Sequence, residues 1–262
     1  MHSTAPLTAI RGRANNVGWI GPEVPAYVPK KLGTLELMLL DEVEGGHVAL
    51  YRDPYGRSSC KVGDDQNCSY EVRRYRDGKL EWSLPLTRLL SRPEHLEVQD
   101  IRLAGDVLYF NEACQTYSME AGGECSSLVA VDPKARRVLW RTPSLTSNNR
   151  FVVRGCYIVA GYGFTSEPDA VHLIDRGSGQ VLQKLPVGSA PESYKLAGDQ
   201  VDVTLYSGAV RHYRLDNLDG VAARGAKLVS LDADSGLGGA IYGGATYGGA
   251  TYGGAMYGNG TP

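Results

Sequence analysis

Hydrophobic and polar positions alternate along residues 127–143, SLVAVDPKARRVLWRTP, with Leu128 and Ala130 out of phase with Val129 and Val131. A period of two is that of a strand with two differently buried faces. The polar insert Asp132-Pro133-Lys134 stops the strand and reverses the chain, and Val138 to Trp140 resumes the pairing. The stretch therefore predicts a β-hairpin. Related hairpins recur at 70–86 (YEVRRYRDGKLEWSLPL) and 171–186 (VHLIDRGSGQVLQKLP), and 210–220 (VRHYRLDNLDG) begins a fourth.

A different hairpin precedes each of these. LELMLLDEVEGGHVALYRD turns at Glu44-Gly45-Gly46, and RFVVRGCYIVAGYG turns at Arg154-Gly155. LEVQDIRLAGDVLYFNE and SYKLAGDQVDVTLYSG turn at Ala-Gly-Asp, residues 104–106 and 197–199, whose glycines suit a positive φ. Asp132 and Asp175 are 43 residues apart, and Asp175 and Asp216 are 41 apart. Trp82 and Trp140 are 58 apart, the extra length lying in two cysteine-bearing insertions. Four strands in a repeat of roughly 42 residues are the signature of a propeller blade. Only residues 84–96 suggest a helix, and Pro85 and Pro93 weaken that reading.

The expected fold is all-β: a small β-propeller of four to five four-stranded blades over residues 33–236. An extended N-terminal arm (1–32) precedes it, and a Gly/Tyr-rich tail (237–262) follows. Four hairpin pairs leave open how the ends are managed, because unpaired strand edges invite association. In one arrangement GAKLVSLDAD (225–234) is a further strand whose partner is the N-terminal arm, closing a ring. In the other, an open arc completes itself against a second protein.

AVDPKARRVLWRTP, and more loosely LIDRGSGQVLQKLP and YRDGKLEWSLP, resemble the A-x-D-x-x-T-G-K-x-x-W motif of the pyrroloquinoline-quinone-like (WD40-like) β-propeller repeats. The outer-membrane assembly lipoprotein of the propeller type carries the same repeat. The resemblance covers roughly residues 34–220 and is structural. It implies that Gly makes the strand-to-strand turn and that Trp82 and Trp140 pack between neighbouring blades. Ala135-Arg136 stands in place of the motif's Thr-Gly, and Gln183 in place of its Trp. Quinoprotein enzymes of this type have about eight blades, so the repeat carries over and the enzymatic activity does not.

Composition narrows the function. A formal net charge of −2 supplies no electrostatic footprint for nucleic acid, and the basic runs at Lys30-Lys31, Arg73-Arg74 and Arg136-Arg137 are short. No stretch approaches the roughly 18 apolar residues of a membrane helix. Residues 1–13 lack the apolar region of a secretory signal. The chain is thus expected to be cytoplasmic, or a mature form whose signal has been removed.

Cysteines bear on that choice. Cys60 and Cys68 flank KVGDDQN, Cys114 and Cys125 flank QTYSMEAGGE, and each pair sits in a polar excursion between strand-like runs. Two local pairs in matching places predict disulfides, hence an extracytoplasmic location (periplasm or cell surface). Reduced thiols would instead fit the cytoplasm. Neither spacing suits zinc. Cys156, in an apolar strand context, is expected in the core.

No catalytic constellation stands out. His2, His47, His95, His172 and His212 are scattered without metal-ligand spacing, and the last two, with His47, are expected on the blade rim. Asp64-Asp65 with Asn67 offers oxygen ligands for calcium but no complete loop, so an exposed polar turn is the simpler reading. Neither a metal nor a cofactor is expected, and the chain is not expected to be an enzyme. Asp132, Asp175 and Asp216 fall at the repeat's turns, as caps.

Interaction therefore falls to the termini. Trp19, Ile20 and Tyr27 are candidate anchors of the arm. Tyr242, Tyr247, Tyr252 and Tyr257, five residues apart in GGAIY GGATY GGATY GGAMY, form a candidate docking array. That tail reads first as a disordered linker, next as a docking segment and last as a stacking fibre. The expected function is a noncatalytic scaffold for protein–protein interaction or self-assembly. The alternative is a carbohydrate-binding module using Tyr55, Tyr117 and Tyr162, with a glycan as ligand; an enzyme with its site at a central channel ranks behind both.

Overall fold

Strands with apolar residues on both phases of the alternation can only be satisfied between two neighbours, and the chain stacks its sheets accordingly. The computed structural model describes residues 11–15, 18–54, 69–93, 96–115, 118–119, 122–163, 167–216 and 227–232. Among them are four antiparallel sheets, one 3-10 turn at Thr87–Leu89 and no α-helix.

In the first sheet β4 (Leu35–Val43), β5 (Gly46–Arg52), β6 (Tyr70–Arg76) and β7 (Lys79–Pro85) form a meander. β1 (Arg11–Asn15) pairs with the other edge of β4, β2 (Gly18–Ile20) pairs with β1, and β3 (Lys31–Leu32) pairs with the start of β4. The second sheet holds β8 (Leu96–Glu97), β9 (Ile101–Ala104), β10 (Val107–Cys114), β11 (Ser127–Asp132) and β12 (Arg137–Arg141). The third runs β13 (Val152–Arg154), β14 (Tyr157–Tyr162), β15 (Ala170–Asp175), β16 (Val181–Pro186). The fourth runs β17 (Pro191–Ala197), β18 (Gln200–Leu205), β19 (Val210–Asp216), β20 (Lys227–Ser230).

Three apolar layers bind the sheets in sequence order. Val48, Leu50 and Val72 of the first meet Leu108, Phe110, Val129 and Val131 of the second. The alternate residues of the second, Tyr109, Leu128 and Ala130, meet Ile158, Ala160 and Ile174 of the third. Tyr157, Val159, Val171 and Leu173 then meet Val201, Val203 and Leu205 of the fourth. Each fully buried side chain of this size contributes about 2 kcal/mol. This is a propeller-like succession of four blades.

The two end faces are treated differently. On the first sheet Leu37, Leu40, Ala49, Tyr51 and Tyr75 are covered by Val28 with Trp19, Val24 and Leu32. The N-terminal segment is thus the lid of that face. On the fourth sheet the residues alternating with the core are Gln200, Asp202 and Thr204 on β18 and Val210, His212, Arg214 and Asp216 on β19. No apolar cluster among the described residues joins this face to the first sheet. Of the two arrangements for the ends, the pairing of residues 225–234 with the arm does not occur among the described residues: β20 pairs with β19, and β1 pairs with β4. A predominantly polar alternate face has little to gain from a buried sheet partner.

The repeat carries a feature its motif does not spell out. In three outer hairpins the register slips at the same place: opposite Trp82 and Leu80, Trp140 and Val138, and Gln183 and Val181. The bulged residues are Glu81, Leu139 and Leu182, and the bulge brings Trp82, Trp140 and Gln183 to one equivalent position. Trp82 packs into the layer between the first and second sheets. Trp140 donates from Nε1 to the Arg176 carbonyl, 3.1 Å away, and its ring lies where a Cβ on Gly179 would fall 2.5 Å from it. Gln183 replaces ring packing with two hydrogen bonds to the next sheet. Its Nε2 donates to Leu228 O (3.2 Å) and its Oε1 accepts from Leu228 N (2.8 Å). Gly179 has φ +75°, and Arg136 adopts φ +54° where the motif has Gly.

The Trp140–Gly179 contact yields a double-mutant prediction. Trp140→Ala should cost about 3 kcal/mol in urea unfolding. Gly179→Ala should cost about 2 kcal/mol from its positive φ and the ring contact together. In the Trp140→Ala background the ring-contact share of the Gly179→Ala cost should vanish. Strict additivity would show that the two residues do not meet in solution.

Candidate functional site

Several buried polar groups sit where sheets meet. Arg102 on β9 donates from Nη1 to Asp41 Oδ2 of β4 (3.1 Å) and from Nε to the Phe151 carbonyl ahead of β13 (3.1 Å). Asp100 accepts from Phe151 N at 3.3 Å. Asn111 takes the Gln99 and Asp100 amides on Oδ1 and donates 2.6 Å to Asn149 O. Asn149 Nδ2 reaches Pro191 O, 3.4 Å away at the head of the fourth sheet. A polar line thus crosses all four inner strands. Glu112, buried on β10, accepts two bonds from Arg141 and two from Ser91, tying β12 to the connection out of the first sheet. These groups are engaged in holding backbone segments together.

The predicted site residues separate into three sets. Asp132 accepts from the Lys134 and Ala135 amides, and Asp175 from the Ser178 amide and hydroxyl, so both cap their turns. Asp216 instead pairs with Arg214 at 2.7 Å. Trp19 lies over Gly12 and donates to Pro22 O, which uses it within the N-terminal segment. Tyr27 keeps its ring exposed and shares a 2.7 Å hydrogen bond with His47 Nδ1. Cys114 and Cys125 form a disulfide, Cα atoms 5.1 Å apart, that joins the end of β10 to the approach to β11. Cys60, Cys68, Tyr55, Tyr117, His2, His95, Asp64, Asp65, Asn67, Tyr242, Tyr247, Tyr252 and Tyr257 lie outside the described residues.

Three expectations are corrected. Cys156 is exposed, because it sits in the β13–β14 turn rather than in either strand. His172 is buried on β15, its Nδ1 donating 3.0 Å to Thr146 O. Burial, with Lys184 paired opposite, pushes its pKa down to about 4. Tyr162, assigned to an exposed carbohydrate platform, is buried at the end of β14 beside Ser118 and Glu167, where desolvation pushes it up to about 12. Neither of these last two places was legible, since a strand's second face shows its burial only once a neighbouring sheet is known.

The free face of the fourth sheet is the candidate interaction surface. Register sets out its rows across the strands: Ser193, Thr204 and Val210 in one; Lys195, Asp202, His212 and Leu231 in the next. Ala197, Gln200, Arg214 and Val229 form a third. His212 Nδ1 donates to Asp202 Oδ1 at 2.8 Å, which fixes the imidazole. Hydrogen bonds from Gln200 and then His212 hold the Asp202 carboxyl below its usual range. Asp202 and Asp216 offset two of the three cations Lys195, Arg214 and Lys227, so the face offers polar contacts with a small positive excess. At its His212 end Val210, Leu231 and Tyr206 stay 41, 45 and 54 % exposed. The described chain finishes at the edge of this sheet: Leu231 N donates to His212 O, and Asp232 accepts from His212 N.

No family model matches the chain, and no curated protein matches it. Solved structures do. The computationally designed Ika4 protein is 11% identical with a TM-score of 0.38, over 61% of this chain and 94% of that one. BamB from Moraxella catarrhalis is 11% identical with a TM-score of 0.33, over 67% and 69%. HIRA(644-1017) is 16% identical with a TM-score of 0.37, over 72% and 51%. Superpositions this loose leave the fold to be carried by the four sheets themselves.

Two measurements probe these placements. His172 has a folded pKa below its unfolded value, so the unfolded chain binds the proton more tightly. Stability should be undiminished above about pH 6.5 and fall by about 3 kcal/mol as pH drops toward 4. His172→Gln should flatten that part of the urea-measured pH profile; an unchanged slope would place the histidine in water. Replacing Cys114 and Cys125 together by Ser should cost about 3 kcal/mol, by loss of a short closed loop.

Proposed function

We propose that this chain is a noncatalytic scaffold of the propeller kind that binds protein. In this reading the stacked blades are a rigid platform and the Gly/Tyr-rich segment 237–262 is its docking element. One observation carries the reading. The last described residues before that segment, Leu231 and Asp232, hydrogen-bond to His212 of the fourth sheet, whose free face neither another sheet nor the N-terminal segment covers among the described residues. Tyrosine combines a large apolar ring with a hydrogen-bonding tip, and glycine between rings lets them adapt to a partner's grooves. The engagement of Arg102, Glu112 and Asn111 in tying sheets together supports a structural use of the buried polar groups. The Cys114–Cys125 disulfide supports an extracytoplasmic setting. No described helix is long and apolar enough to cross a membrane. The carbohydrate reading has lost Tyr162 as a platform.

Light scattering on the full chain and on a chain lacking residues 237–262 tests this directly. The full chain should associate and the shortened one should be monomeric and still unfold cooperatively. Equal association of both would remove the docking role of the tail.

A further inference from the structure

The two ends of the stack are finished differently, one covered by chain and the other left with a predominantly polar face. At the first sheet the segment before β4 folds back over the free face with Trp19, Val24, Val28 and Leu32. At the fourth sheet the free face is bare among the described residues and exposes Val210, Leu231 and Tyr206. The chain passes Leu231 and Asp232 at that place, with thirty residues still to come.

We propose that the free face of the fourth sheet is the docking surface for the chain's own first GGAxY repeats, with Tyr242 and Tyr247 seated on it. Proximity favours this occupant. A segment joined to its receptor by a short flexible linker faces it at an effective concentration in the millimolar range. Nine residues lie between Asp232 and Tyr242, enough for the chain to turn back across the sheet.

Dimensions and chemistry agree. Four strands about 4.8 Å apart span about 14 Å, and five extended residues cover about 16 Å, so one repeat crosses the face and sets rings near both edges. Residues 235–262 contain no charged side chain, and they meet a face where Asp202 and Asp216 are already paired with His212 and Arg214. The glycines lie flat on a pleated surface without side chains to clash. The phenols find acceptors and donors in the central rows: Asp202, His212, Gln200 and Thr204. Val210 and Leu231, diagonal neighbours across β19 and the chain after β20, supply the apolar contact. The face is one repeat wide, so Tyr252 and Tyr257 remain for a partner. The inference rests on the scaffold reading only for the role of those last two repeats.

Limited proteolysis of the full chain with chymotrypsin, at a concentration where light scattering shows monomer, tests the docking. Cleavage after Tyr242 and Tyr247 should be about tenfold slower than after Tyr252 and Tyr257, as for a segment docked about nine-tenths of the time. The double variant Val210→Lys, Leu231→Lys, at two exposed positions, should equalise the four rates and lower stability by no more than the tenfold docking supplies, about 1.4 kcal/mol. In the reverse direction, Tyr242→Ser with Tyr247→Ser in the full chain should speed modification of His212 by diethyl pyrocarbonate about tenfold. Equal cleavage at all four tyrosines in the unmodified chain overturns the proposal. So does protection that appears only as protein concentration rises, which would seat the segment on a second copy. Failure of the tail to drive association would leave this monomer result standing, and the two readings fail separately.

Discussion

Everything in this structure depends on the burial of both faces of the two middle sheets. In β10 and β11, Leu108, Phe110, Val129 and Val131 serve the first sheet while Tyr109, Leu128 and Ala130 serve the third. A strand in that position has no solvent side, so its alternation separates two apolar sets instead of apolar from polar. Stacking is then obligatory for the inner blades and becomes a problem at the ends. The chain meets it with a folded-back N-terminal segment at one end and a predominantly polar alternate face at the other. Among the described residues the two end faces are therefore not packed against each other by an apolar layer.

Joining successive blades needs more than apolar layers, which are permissive about sliding. Direction comes from groups that must meet partners at one place. A bulge repeated in three outer hairpins sets Trp82, Trp140 and Gln183 in equivalent positions, and two chemistries then do the same job. Trp140 lays a ring over Gly179 of the next blade, while Gln183 grips both backbone groups of Leu228. Arg176 returns the contact to the second sheet, stacking 5.7 Å over Tyr109 and donating to Ala104 O. On the inner strands the line from Asp41 through Arg102 and Asn111 to Asn149 plays the corresponding part. Buried ionic groups are poor sources of net stability, but costly to leave unmatched, which makes them good fixers of register.

Much of this was legible in the sequence, for a physical reason. Turns with a positive φ need Gly or a small polar residue, so the hairpins at Gly105, Gly155 and Gly198 announced themselves, and period-two alternation located the strands between them. The caps at Asp132 and Asp175 followed from the turn chemistry. What failed was anything requiring knowledge of the neighbour. His172 and Tyr162 look like rim or platform residues until the adjacent sheet is in place. Cys156 looks apolar by its company and is exposed because one turn residue separates two buried strands. The bulge had a faint signal in the common spacing of KLEW, RVLW and QVLQ from their turns. The inner polar line had none, since Asp41, Arg102 and Asn149 are far apart in the chain and each looks like a surface residue of its own hairpin.

A rigid stack with its apolar faces committed has limited means of recognising another molecule. Its inner faces are spent on neighbouring blades, and its buried charges are spent on backbone. What remains are the strand edges, the loops and the ends. The ends differ from the others in being reached by the termini, so each can be covered or uncovered by a segment whose sequence is free of packing constraints. At the first sheet that freedom has been exchanged for stability: Trp19 and Val28 are bound into the structure. At the fourth sheet the face carries the His212–Asp202 pair and a rim of exposed Val210, Leu231 and Tyr206, chemistry suited to contacts that form and break. The blade repeat therefore explains the platform, and the contrast between its two ends explains why recognition should be sought at the C-terminal one.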